Sequence, residues 1–261
     1  MSCMFPLLGF SRELDRLKHA SAKRESLLII GAAGAGKTAL IQTAIAQLPN
    51  PREIVAIRYS ANPHTLLVDL TRSLLLRGHR ELAKRAKPGV NIEKWLAAQT
   101  SVHLKGLLWT SLESEPRILV LDGIEGASFP MYRFLQRLYF ARGTAIIAAA
   151  RDPAALGALG RLFWDPRSMI HIPPLSHADA EQLFDLAVKR FGLEQLDVNE
   201  FREKVLESAR GNPGQIIEMC RLAANPHYLN GRHILFAPLR IDVMMRFLPA
   251  VTGYRPRRSL P

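Results

Sequence analysis

The chain has 261 residues, 48% of them hydrophobic and 22% charged, a composition that supports a buried core and excludes a disordered or low-complexity polypeptide. Its two cysteines, Cys3 and Cys220, exclude a disulfide framework and point to a reducing cytoplasm, with Cys220 expected as a small core residue. No stretch approaches the roughly 18 apolar residues of a membrane span, and the N-terminus lacks the basic start of a secretory leader. The formal charge of +12 is uneven: residues 71–94 hold seven Lys and Arg against two Glu, residues 225–261 hold six Arg against Asp242, and residues 176–208 hold eight acids against four bases.

Residues Phe10 to Ala20 are expected to form a helix with Ser11 as N-cap and Leu14 and Leu17 on its apolar face. The apolar run Leu27–Ile30 then leads straight into Gly31-Ala32-Ala33-Gly34-Ala35-Gly36-Lys37-Thr38, which fits G-x-x-x-x-G-K-[ST]. Glycines at 31, 34 and 36 let successive N–H groups turn inward around an anionic phosphate chain. Lys37 adds a point charge for the terminal phosphates, and the Thr38 hydroxyl is placed to ligate a magnesium ion. A helix opening near Lys37, with Leu40, Ile41, Ala44, Ile45 and Leu48 on one face, aims its positive end at the same phosphates. The candidate nucleotide-binding residues are therefore Gly31, Ala32, Ala33, Gly34, Ala35, Gly36, Lys37, Thr38 and Ala39.

Further apolar runs of strand length lie at 54–59, 118–121, 145–149 and 169–172, separated by helical spacings at Leu66–Leu75 and Met131–Leu138. Strands alternating with helices predict an α/β protein with a five-stranded parallel sheet sandwiched by helices. The third strand ends in Asp122, which supplies the carboxylate a phosphate-binding loop needs to hold its metal. Gly123 follows and cannot polarise a water molecule. Glu125 is the nearest acid, and from the residues alone it fits a catalytic carboxylate and a solvated loop glutamate equally.

After Pro173-Pro174 the strand signals stop, and helical patterns run over 178–191, 198–209 and 214–224, with Ser176 capping the first and Gly192 ending it. Three segments are expected: an α/β core over 1–174, a small helical domain over 175–224, and a basic extension over 225–261 with one helix near 240–248 and a mobile tail. The eight histidines and two cysteines show no metal-ligand spacing.

Several segments resemble AAA+ and STAND ATPases of the origin-recognition-like and NACHT-like branches. Gly9-Phe-Ser-Arg-Glu-Leu-Asp-Arg-Leu17 is similar to the helix that leads into their phosphate loop, and Leu119-Val-Leu-Asp122-Gly123-Ile124-Glu125 is similar to the STAND form of their second acidic motif. The resemblance implies ATP and Mg2+ as cofactors, Glu125 as the catalytic carboxylate beside Lys37 and Asp122, and Thr38 and Asp122 as the metal ligands. Ala145-Ile-Ile-Ala-Ala-Ala-Arg151 resembles the sensor strand, which makes Arg151 the arginine sensor. Ile170-His-Ile-Pro-Pro-Leu-Ser176 resembles the hinge, and Gly211-Asn212-Pro213-Gly214 resembles the lid motif whose proline, Pro213, sits near the adenine. Arg161 and Arg167 lie where such proteins carry an arginine finger that enters a neighbouring subunit, which implies a homo-oligomer. Two departures stand out: Gly214 occupies the position of a common lid arginine, and no effector domain is evident.

The function expected on this basis is an ATP-hydrolysing switch, with ATP between core and lid, acting on a protein partner or on DNA through basic segments 72–94 and 232–258. Those segments lack aromatic side chains interleaved for base stacking. A regulatory module that binds ATP with little hydrolysis is the alternative. A small-molecule kinase is a third, which the hinge and lid motifs disfavour.

Overall fold

The computed structural model describes residues 5–59, 62–86, 91–125 and 128–247. Lys87, which belongs to one basic segment, and residues 248–261, which include the expected tail, lie outside these ranges. The described chain falls into two compact units, one formed by Phe10–Ala32 and Lys37–Ile172, the other by 5–9, Ala33–Gly36 and 173–247.

In the first unit, α1 (Ser11–Lys23), β1 (Leu27–Ile30), α2 (Lys37–Gln47), β2 (Ile54–Arg58) and α3 (Pro63–Leu76) are followed by α4 (Arg80–Ala86), α5 (Ile92–Ala97) and α6 (Ser101–Ser114). Then come β3 (Ile118–Asp122), α7 (Phe129–Tyr139), β4 (Ala145–Ala150) and β5 (Met169–His171). The strand order is β2-β3-β4-β1-β5, with every pairing parallel. This is the expected five-stranded sheet. Leu27 to Ile30, Ile118 to Leu121 and all six residues of β4 are buried, because helices on both faces leave no side of these strands to solvent. The helices bury the matching stripes: Leu66, Leu67, Leu70 and Leu74 of α3, Leu104, Leu108 and Leu112 of α6, and Met131, Phe134, Leu135 and Leu138 of α7.

The second unit holds α8 (His177–Phe191), α9 (Val198–Ala209), α10 (Pro213–Ala223), a short hairpin of β6 (Leu229–Asn230) and β7 (His233–Ile234), and α11 (Phe236–Phe247). Ser176 caps α8 by accepting from Asp179 N, and Gly192 ends it in the left-handed conformation, as expected. Cys220 is fully buried, and burial pushes its thiol up to about 12.

Some local expectations change. Ser11 is not an N-cap but the first residue of α1; Phe10 occupies the cap and makes no side-chain capping bond. β2 stops at Arg58, although Tyr59 N still donates to Asp122 O at 2.8 Å. α11 begins at Phe236, four residues before the expected start, because Leu239 and Val243 are buried in the unit's core.

The N-terminus of α4 is capped by a buried histidine. His79 Nδ1 accepts from Leu82 N at 3.1 Å, and Nε2–H donates to Glu115 O at 2.9 Å, so both ring nitrogens are used in the neutral form. Burial lowers the His79 pKa despite the opposing pull of the Glu115 carboxylate. The unfolded chain therefore takes up this proton first as pH falls, and folding stability rises with pH through the ordinary histidine range and is lost below it. Chemical denaturation between pH 5 and 8 should show this slope, and His79→Asn should flatten it.

Candidate phosphate-binding site

The phosphate-binding loop starts where β1 ends, and Gly31 N donates to Ala150 O at the end of β4 (3.2 Å). Gly34 and Gly36 take φ of +79° and +96°, in the region that favours glycine, which is why the motif needs them. α2 opens at Lys37, so its free N–H groups and positive dipole end lie at the loop. Lys37 Nζ donates to the loop's own carbonyls, Gly31 O at 2.5 Å and Ala32 O at 3.0 Å. Burial lowers its pKa, Asp122 and Glu125 oppose that shift, and Arg151 adds to it. All three charges thus lie close enough to act on the lysine.

Thr38 Oγ1 donates to Asp122 Oδ2 at 2.7 Å. A hydroxyl and a carboxylate held this close form a pair of hard oxygen donors, which suits a magnesium ion that keeps most of its water ligands. The residues fit the metal that the motif implies. Thr38 and Asp122 would hold it, and bound there it would supply charge neutralisation to phosphate oxygens.

Beyond Asp122 the chain folds back onto β4. Gly123 N and Ile124 N both donate to Ala149 O, at 2.9 and 2.8 Å, with Gly123 at φ +77° and Ile124 buried. This turn carries Glu125 to the end of β4, where Oε1 accepts from Arg151 N at 2.8 Å and lies 3.8 Å from Arg151 Nε. Glu125, three positions past Asp122, thereby reaches the groups that act on Lys37. Lys37, Thr38, Asp122, Glu125 and Arg151 form one cluster at the carboxyl ends of β1, β3 and β4.

Within the second unit, Ala33–Gly36 pack on the start of α10. Asn212 Nδ2 donates to Ala33 O and Gly214 N to Gly34 O, both at 2.9 Å, while Pro213 fills the first position of the helix and Asn212 Oδ1 accepts from Gln215 N. A Cβ on Gly214 would lie 2.6 Å from Gly34 Cα, and one on Gly34 would strike the Phe247 ring and lie 2.7 Å from Asn212 Oδ1. Two backbones meet here with no space for a side chain, which explains why position 214 carries no arginine. Arg221, further along α10, is bound to Glu218. The motif assigns a role to Pro213 and none to Asn212, although an Asn before a helix-starting proline is a capping signal.

The remaining candidates fall elsewhere. Arg161 is exposed, and Arg167 is tied to Asp165 just before β5, at the amino ends of the strands and away from the cluster. In the basic segment 72–94, Arg72 is bound to Asp69 and Glu93, and Lys84 and Arg85 pair with Glu81. Arg246, in segment 232–258, pairs with Glu218. No helix among the described residues is long and apolar enough to cross a membrane.

A parallel sheet of this order with a glycine-rich loop, Lys37 and Asp122 at its carboxyl edge defines a nucleotide-binding P-loop fold. Residues 20–152, just over half of the chain, match the AAA domain family, and the chain belongs to the AAA+ P-loop ATPases. No curated protein matches the sequence. The fold is similar to that of the Aeropyrum pernix ORC1 protein, solved in complex with DNA (TM-score 0.55, 17% identity, 92% of this chain and 66% of that one). It is also similar to AMPPCP-bound DnaA from Aquifex aeolicus (0.52, 18%, 92% and 68%) and to a STAND protein with a tetratricopeptide repeat sensor from Pyrococcus horikoshii (0.51, 17%, 92% and 32%). The chain thus spans about two thirds or less of those proteins' lengths.

Gly214→Ala forces a methyl group against the Gly34 backbone. It should lower the unfolding free energy by about 1–3 kcal/mol, read as an earlier midpoint in chemical denaturation. Gly106→Ala serves as the comparison, since Gly106 is likewise helical without a positive φ and a Cβ there meets nothing within 4 Å.

Proposed function

We propose that this protein binds magnesium-ATP at the loop Gly31–Thr38 and hydrolyses it as a switch that acts on a protein or DNA partner. The observation that carries this reading is the convergence of Glu125 with Lys37, Thr38 and Asp122. In-line attack on a terminal phosphate needs a base close to the attacking water, and among the described residues Glu125 joins Asp122 in raising the Lys37 pKa against its burial. Lys37 would exchange its carbonyl partners for phosphate oxygens, Thr38 and Asp122 would hold the metal, and Arg151 would face the terminal phosphate. Pro213 would lie by the adenine, and Arg161, exposed and unpaired among the described residues, is the better of the two finger candidates in an oligomer.

The partner reading draws on the +12 charge and on the fold shared with proteins solved with DNA, such as ORC1 and DnaA. A second reading, ATP binding with little hydrolysis, is favoured by one contact: Glu125 Oε1 is already bound to Arg151 N, so the acid must release this bond or work through its other oxygen.

Steady-state phosphate release separates the two. Wild type should turn over ATP in magnesium, Lys37→Ala should lose both binding and turnover, and Glu125→Gln should keep ATP affinity within about threefold while losing at least 100-fold in rate. Wild-type turnover indistinguishable from Glu125→Gln, with and without duplex DNA, would leave only the binding module.

A further inference from the structure

At the opposite edge of the sheet, where the strands begin, two clefts of about 670 and 490 Å³ adjoin and share Glu25, Leu27 and Arg167. The smaller is lined by Tyr139 and Ala141 on one side and Asp165 on the other. Phe140 and Trp164, the chain neighbours of these residues, project into solvent with 74% and 78% of their surface exposed. Large exposed aromatics are costly to leave in water and mark contact surfaces.

The chain next to both is anchored to the core. Tyr139 packs edge-on against Phe140 at 5.2 Å and against the buried Phe163 at 5.5 Å, so one ring braces the backbone of both exposed residues. The charges around them sort into spent and unspent groups. Arg24 is paired with Glu53, Arg167 with Asp165, and Arg16 donates to the carbonyls of Arg167 and Met169. Arg12, on the rim of the larger cleft, and Arg142, between Ala141 and Gly143 on the smaller, make no ion pair among the described residues, and both are exposed. Against them stands one exposed unpaired acid, Glu25.

We propose that this face binds single-stranded nucleic acid, with unstacked bases against Trp164 and Phe140 and the phosphate backbone along Arg12 and Arg142. Exposed aromatic rings beside unneutralised arginines suit a strand whose bases are free to stack, and a duplex offers no such bases. Carboxylates already hold much of the charge in segment 72–94, whereas these arginines remain available. The site lies at the far edge of the sheet from Lys37 and Asp122 and needs neither nucleotide nor hydrolysis.

The test is titration of the full chain, without ATP, with (dT)15 and (rU)15, following tryptophan emission and fluorescence anisotropy. Stacking quenches Trp164, and affinity should fall with salt as cations leave the strand. Trp164→Ala should weaken binding about tenfold or more, and Arg12→Glu with Arg142→Glu should flatten the salt dependence. Far-UV circular dichroism should be unchanged, since all three residues are exposed. The relative strength of the two oligonucleotides tells DNA from RNA. Binding unaffected by Trp164→Ala, a stronger response to duplex, or quenching by decaglutamate but by neither oligonucleotide would overturn the proposal, the last in favour of an acidic protein segment.

Discussion

Three consecutive residues at the end of β4 hold the phosphate site together. Ala149 O takes the two N–H groups that turn the chain after Asp122, Ala150 O takes the N–H that starts the loop at Gly31, and Arg151 N takes the carboxylate of Glu125. The parallel order β3-β4-β1 makes this convergence possible, because it sets β4 between the strand that carries the lysine loop and the strand that carries the aspartate. Distances within the cluster are then fixed by backbone bonds. Alanines at 148, 149 and 150, all fully buried, let neighbouring elements close over this strand end.

The same fold presents different chemistry at its two edges. At the carboxyl edge, backbone N–H groups, a lysine and two carboxylates converge, the donor set that the proposed phosphate and metal would need. At the amino edge lie clefts, aromatic side chains and arginines, with no glycine-rich loop. Strands of three to six residues separate the edges by roughly 10–20 Å, so a ligand at one would leave the other free.

Much of the phosphate site was legible because its signals are local. Gly31–Thr38 and the run into Asp122 are continuous in sequence, and each strand is an apolar block of the right length. Helices α4 and α5, seven and six residues long, are too short to show a helical period, and Ser11 looked like a cap because its type suits one. The tie between Glu125 and β4 depends on a turn whose partner lies 25 residues away, so residue type alone left its role open. Gly214 read as a missing arginine because the sequence does not show that Gly34 lies against it. The aromatic face was invisible for a similar reason: Phe140 and Trp164 are 24 positions apart, and only the contact of Tyr139 with Phe163 brings their neighbourhoods together.

Lys37 illustrates what self-satisfaction does to selectivity. Its ammonium group already has two carbonyl partners, Gly31 O and Ala32 O, so an arriving anion displaces bonds instead of filling an empty position. A small anion that offers one contact leaves the lysine worse bonded than before. A chain of phosphates, with several charged oxygens within reach of the same nitrogen, replaces both carbonyls and adds charge. For the phosphate ligand proposed here, the loop would thus favour a multivalent anion, which can replace both carbonyls of Lys37, over a monovalent one, which cannot.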